Sequence, residues 1–313
     1  MVVVNAMTER CPTISMGADA APFSRIVFGM WRIGDWALSG RERRALVEAA
    51  LELGVTSFDH ADIYGDYTAE SLFGDVLAEA PHLRERMQIV TKCGIRLVSA
   101  RRPAHGIKHY DTRAAHLVAS VEQSLRALRT DRIDLLLLHR PDPLMDADEV
   151  AATFARLRRD GKVREFGISN FMPAQAELLQ ERMRALGMSL ATNQVECSLL
   201  HLAPLDDGTF DQAQRWRCPP MLWSPLAGGR VLTDASPAAT RVRACAERIG
   251  AALGVPATVV LFAWLLALPC RPLPIVGSSR IAALREAVAA TRVTLEREHW
   301  FELLHAARGA DVP

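Results

Sequence analysis

The run "IDLLLLHRP", residues 133–141, decides how the rest of the chain reads. Four consecutive leucines are too uniformly apolar for a strand with one wet face. They fit a strand covered on both sides, which is the situation in parallel sheets flanked by helices. The run ends abruptly in polar residues, beginning with His139.

Seven further short apolar runs surround it. "RIVFGM" near Ile26, "GVTSFDHA" near Phe58 and "MQIVTKCG" near Val90 precede it. "VREFGISNF" near Gly167, "LATNQVECS" near Gln194, "PMLWSPLAGG" near Trp223 and "LPIVGSS" near Val276 follow. Amphipathic segments such as "SGRERRALVEAALELG" and "DADEVAATFARLRRDG" lie between them, several ending in glycine as helix C-termini prefer. Such alternation implies parallel strands joined by crossover helices. Periodicity leaves open whether the sheet closes. Eight units, with no G-x-G-x-x-G near the start, favour an α/β fold of the (β/α)8 TIM-barrel type over a Rossmann domain. "CPTISMGADAAPFS", residues 11–24, predicts an N-terminal hairpin over the barrel floor, and extra helices are expected after strands 7 and 8. No Pro/Gly/Ser-rich linker divides the chain, so residues 1–313 are expected to form a single domain.

Composition narrows the function. The 37 basic and 36 acidic residues leave a net charge of +1, without the basic excess of a nucleic-acid binder. Six scattered cysteines show no ligand-like spacing and suggest reduced thiols in the cytoplasm, with no metal site. The N-terminal "MVVVNAMTER" lacks the pattern of a secretion signal. The most apolar window, "PATVVLFAWLLALP" (residues 256–269), is too short to span a bilayer and reads as a buried helix. No exposed apolar heptad or patch points to a protein partner, so the oligomeric state stays open with a monomer favoured.

In a (β/α)8 barrel the C-terminal strand ends hold the active site. Asp59 and Tyr64 follow the second strand, Lys92 the third and His139 the fourth. A phenol near pKa 10 is a poor acid at neutral pH, and an adjacent ammonium favours its phenolate. A carboxylate beside the ammonium keeps it charged and fixed, while an imidazole can orient a carbonyl oxygen. The set makes a proton donor but lacks a nucleophile or metal, so a cofactor must bring the electrons. Lys92 is one of only three lysines, which weighs against a casual surface charge. Each residue also has a plain structural reading: Asp59 as a turn acceptor, Tyr64 and Trp223 as packing, His139 as a core histidine, Ser169–Asn170 as a helix cap.

"FDHADIYG", "VTKCG", "LLLLHRPD", "GISNF", "NQVE", "WSPLAGG" and "PIVGSS", in this order, resemble the aldo-keto reductase superfamily over essentially the whole chain. Within it, "HADIYG", "HRPDPLMDADEV" and the ending "DVP" are most similar to the bacterial YdhF-type oxidoreductases. The resemblance implies an NADPH-dependent TIM-barrel enzyme that reduces small carbonyl compounds. Tyr64 would be the general acid, tuned by Lys92 and Asp59, with His139 orienting the carbonyl. Ser169, Asn170 and Gln194 match positions that hold the nicotinamide carboxamide, and Trp223 the aromatic that stacks on its ring. Ser224, Leu226 and Gly228 match the pyrophosphate loop, and Gly277, Ser278 and Arg280 the adenosine phosphate end. His60 departs from the threonine common in the family.

Met30, Trp31 and Tyr110 are the expected substrate-pocket residues, with Tyr110 in a long loop over residues 96–112. Two other readings compete. One is a slow-turnover NADP(H)-binding redox sensor or regulatory partner protein. The other is a Schiff-base lyase using Lys92, which the neighbouring Asp59 would oppose.

Overall fold

The computed structural model describes residues 10–16 and 22–313. Among the described residues twelve short strands are formed: β1 (Thr13–Ile14), β2 (Phe23–Ser24), β3 (Val27–Gly29), β4 (Ser57–Asp59), β5 (Gln88–Cys93), β6 (Ile95–Arg96), β7 (His109–Tyr110), β8 (Ile133–Leu138), β9 (Val163–Ser169), β10 (Leu190–Glu196), β11 (Met221–Trp223) and β12 (Leu273–Val276). Eight of them close into a barrel in the order β3-β4-β5-β8-β9-β10-β11-β12, every pairing parallel. These are the eight apolar runs of the sequence, and the fold is the expected (β/α)8 TIM barrel.

The helices wrap the barrel in chain order. They are α1 (Gly40–Glu52), α2 (Tyr64–Tyr67), α3 (Ala69–Glu79), α4 (Ala114–Leu128), α5 (Ala147–Arg159), α6 (Pro173–Ala185), α7 (Ala203–Asp206) and α8 (Thr209–Trp216), then α9 (Arg230–Thr233), α10 (Pro237–Leu253), α11 (Ala257–Leu266), α12 (Ile281–Ala290) and α13 (Arg297–Arg308). Local chemistry sets their ends. Ser39 and Glu42 form a reciprocal capping box on α1, and Asp146 caps α5 by accepting from two backbone N–H groups. The additional helices stand where expected: α9 to α11 follow the seventh barrel strand, and α13 follows α12 after the eighth.

In β8, Leu135 and Leu137 point into the barrel core with Val27, Val90 and Leu273, while Leu136 and Leu138 pack outward against α4 and α5 side chains such as Leu117 and Phe154. That double burial is why the run carries no polar alternation. At the floor, β1 and β2 pair antiparallel, and Ile14, Met16 and Phe23 join the interior cluster. Residues 17–21 of the expected hairpin segment and residues 1–9, on which the reading of the N-terminus rests, lie outside the described residues.

Among the described residues, no single helix is long and apolar enough to cross a membrane. α10 and α11 would pass such a test only together, yet they meet at 96°, and α11 is buried from Val259 to Leu265. Five of the six cysteines are buried, Cys245 being half-buried, and all are free thiols.

Candidate active site

The C-terminal ends of the barrel strands open onto a cavity of about 850 Å³, toward the upper end of the range for small-molecule sites. Asp59, Tyr64 and His139 line one part of it, Ser169, Asn170 and Gln194 the next, and Trp223, Ser224, Leu226 and Gly228 the following wall. Gly277, Ser278 and Arg280 line the far end. Lys92 lies behind Asp59 and Tyr64, 1% exposed.

Strand register brings the polar set together. Asp59 pairs with Val90 across β4 and β5, so the next inward side chain on β5 is Lys92. Its ammonium donates to both Asp59 oxygens at 2.8 Å, to the His60 carbonyl at 2.7 Å and to Tyr64 Oη at 3.1 Å. An ammonium has three protons for these four acceptors, so it is saturated. Because Oη accepts from Lys92, the phenol's own hydrogen is free to donate elsewhere.

Burial works to lower the Lys92 pKa, but the Asp59 carboxylate and Tyr64 outweigh it and hold the ammonium up. Burial raises the Tyr64 phenol, and Lys92 only partly opposes it. The ammonium thus acts in the sense expected from the sequence, but desolvation wins and the phenol stays above its ordinary value. Tyr64 is accordingly neutral and carries a proton at physiological pH. His139 stands edge-on to the Tyr64 ring at 5.7 Å, and its backbone N–H donates to the Cys93 carbonyl at 2.9 Å. Burial, with Lys92 and Arg140 nearby, holds its imidazole well below the usual value and neutral.

The turn after Tyr64 is strained. Gly65, Asp66 and Tyr67 all adopt positive φ, and each non-glycine residue there costs on the order of 1 kcal/mol. Tyr67 Oη accepts from the Leu97 N–H at 2.9 Å, tying this turn to the long loop.

A chained polar wall continues from Asp59. Gln194 Nε2 donates to Asp59 Oδ1 at 2.8 Å, and Ser169 Oγ donates to the Gln194 carbonyl at 2.8 Å. Asn170, held at φ 61°, donates to Ser169 Oγ at 2.8 Å and accepts from Trp223 Nε1 at 3.1 Å. Beyond Trp223 the chain turns through positive φ at Ser224, Ala227, Gly228 and Gly229, giving an irregular loop along the cavity. The fit to an elongated nucleotide is favourable: a planar half-buried indole, amide and hydroxyl groups beside it, a glycine loop, and an arginine at the far end with no acidic partner among the described residues.

Of the expected substrate-pocket residues, Trp31 and Tyr110 line the cavity, whereas Met30 does not. Met30 is 1% exposed and packs with Phe28 and Phe58 in the helix-facing core. Side chains alternate along an extended segment, so Gly29 and Trp31 face the cavity and Met30 turns away. Trp36 stacks on Phe28 at 5.9 Å in the same core.

Three cations escaped the sequence reading. Lys108 and Arg140 line the cavity on the His139 side, and both reach it electrostatically. Arg32 lines the opposite side near Gly228. For Arg140 the available signal was its position immediately after a strand-end histidine; for Lys108 it was the scarcity of lysine.

A family model described as "Aldo/keto reductase family" matches residues 25–306. The chain is 50% identical to oxidoreductase YdhF of Escherichia coli, covering 96% of this chain and 99% of the relative. It is 46% identical to a 6-dehydroglucose reductase of Agrobacterium fabrum, over 94% of this chain and 98% of the relative. A solved structure of the thermostable aldo-keto reductase Tm1743, in complex with the inhibitor epalrestat, superimposes with a TM-score of 0.79 at 26% identity, covering 94% of this chain and 99% of the other. Sequence, fold and strand-end chemistry agree, and the chain belongs to the aldo/keto reductase family.

Proposed function

We propose that this protein is an NADPH-dependent reductase of small aldehydes or ketones, acting as one catalytic domain over residues 1–313 in the cytoplasm, with the monomer favoured. Bound NADPH would supply the hydride to the carbonyl carbon. Ser169, Asn170 and Gln194 would hold its carboxamide and Trp223 its ring. Ser224, Leu226 and Gly228 would follow the pyrophosphate. Gly277, Ser278 and Arg280 would take the adenosine end, where a guanidinium suits a 2′-phosphate.

The observation that carries the reading is the Lys92–Tyr64 contact. Lys92 donates to the phenol oxygen, leaving the phenol hydrogen for a carbonyl oxygen that gains charge as its carbon is reduced. Tyr64 gives up its proton as the general acid, and the ammonium stabilises the phenolate left behind. Asp59 holds the ammonium in place. The neutral His139 imidazole orients the carbonyl. Trp31 and Tyr110 enclose the substrate. Lys108 and Arg140 offer up to eight N–H donors near His139, which suits an oxygen-rich substrate such as a hydroxylated aldehyde. Relatives at 46% and 39% identity are 6-dehydroglucose reductases, in keeping with that class.

The test follows NADPH oxidation with simple and hydroxylated aldehydes and ketones, for wild type and Tyr64→Phe. Reduction by wild type that collapses in the variant supports the mechanism, and equal rates overturn it. Tight NADPH binding without turnover on any carbonyl would instead support a redox sensor.

A further inference from the structure

A second ionisable cluster lies on the opposite face of β5, where the reaction just proposed does not reach. Val90 and Lys92 point into the barrel, so Thr91 and Cys93 point out toward α3 and α4. The two helices are very close: a Cβ on Gly74 would lie 2.0 Å from the Ala127 carbonyl oxygen. Under this contact two carboxyl groups are sealed in, Glu70 at 3% and Asp62 at 7% exposure.

Glu70 Oε1 accepts from Thr91 Oγ1 at 2.6 Å, and Ser124 of α4 also donates to it. Asp62 faces Ser120, and its backbone N–H donates to the Lys92 carbonyl at 3.0 Å, but its Oδ1 has no hydrogen-bond partner among the described residues. The other charged or titratable groups facing the two acids are few. Arg102 comes from the long loop, Tyr67 from the turn after Tyr64, Lys92 and Cys93 from β5, and neutral His116 lies beyond Ser120 on α4. Arg102 acts on Asp62 only at a distance and, among the described residues, forms no ion pair with Asp62 or Glu70. Two buried carboxylates sharing one site with so little compensation cannot both ionise.

We propose that Asp62 and Glu70 form an acid pair that carries at most one negative charge, and that this charge, set directly behind Lys92, fixes the field that the ammonium presents to Tyr64. Glu70 is then a positioning residue that acts through Thr91 and β5 without touching substrate. Burial raises Glu70 to about 7 and Asp62 well above the usual carboxylate range, with mutual repulsion adding to Asp62. Glu70 therefore loses its proton to solvent as pH rises through neutrality, while Asp62 keeps its own. The inference rests on the assignment of Lys92 and Tyr64 to the reaction, but its test is independent of turnover.

The measurement is tyrosine ¹³Cζ NMR of the full-length protein over pH 6–11, with the Tyr64 signal among the three tyrosines assigned by Tyr64→Phe. In the double variant Asp62→Asn/Glu70→Gln, which leaves neither member to take up the charge, the Tyr64 phenol should titrate about 0.5–1 pH unit lower, because a nearby negative charge has been removed. In wild type, carboxyl ¹³C NMR should show one step near neutrality that Glu70→Gln lacks. Thr91→Val, which removes a donor favouring the carboxylate, should move that step upward and covers the case in which either of these variants does not fold. Superimposable Tyr64 titrations, or no carboxyl step between pH 6 and 8 in wild type, would overturn the pair. Shifted titrations in a protein that reduces no carbonyl would uphold the pair and overturn the reductase reading instead.

Discussion

The two ends of the cavity are built differently. At the Tyr64 end, each polar group is locked by several partners: Lys92 has four acceptors, Asp59 accepts from Lys92 and Gln194, and the chain runs on through Ser169 and Asn170 to Trp223. At the Arg280 end, the loop's one bond of this kind among the described residues runs from the Arg280 N–H to Ser278 Oγ at 3.2 Å, and Arg280 is exposed. Burial and saturation at one end fix protonation states and distances, as proton transfer requires. Open, water-facing groups at the other end would, in the proposed reading, bind by charge and tolerate variation.

Breaking the locked end should have the largest effect. Tyr64→Phe keeps the ring but removes the donor, and kcat for carbonyl reduction should fall by roughly 10²–10⁴ with little change in NADPH affinity, as steady-state kinetics and fluorescence titration can show. Lys92→Met strands the Asp59 carboxylate in the interior and should cost about 3–5 kcal/mol in urea unfolding. The double variant Asp59→Asn/Lys92→Met should recover much of that loss.

The pH response of folding separates the ends further. His60 is fully buried, with neither ring nitrogen partnered among the described residues, and burial lowers it to about 3, aided by Lys92. Its folded value lies below the unfolded 6.5, so the neutral form is favoured by the fold. The associated stability is complete above pH 6.5 and is lost as pH falls toward 3, where the unfolded chain binds the extra proton. His60→Phe should flatten the decline in melting temperature between pH 6.5 and 4.5; His116, lowered to about 4, leaves a residual slope. At the open end the effect should be smallest. Arg280→Ala should weaken NADPH by about 10–50-fold, the size of a charge-assisted contact, and leave NADH nearly unchanged.

The same contrast explains what could be read from the chain. "IDLLLL" revealed a doubly covered strand because its burial is written in consecutive residues. The strand-end set was legible because a barrel brings all its strand termini to one face, whatever their spacing in sequence. Met30 was misplaced by one step of strand parity, which the neighbouring glycine and tryptophan could have settled. Arg140 needed only its place directly after His139, whereas Lys108 was missed because its approach to His139 depends on how the segment between β5 and α4 folds back. There, Ile95 pairs with Tyr110 in a small antiparallel ladder that no motif announces. The acid pair of Asp62 and Glu70 was invisible for another reason: it needs the close helix contact at Gly74, a tertiary event.

The saturated Lys92 ammonium has an isotopic consequence. Its three protons are committed to oxygens that do not change partner in the proposed reaction, so only the phenol hydrogen moves. Rates measured in mixtures of light and heavy water should then vary linearly with deuterium fraction, the signature of a single hydrogen in flight. A bowed plot would mean that the lysine hands a second proton onward, and that its apparent rigidity ends when chemistry begins.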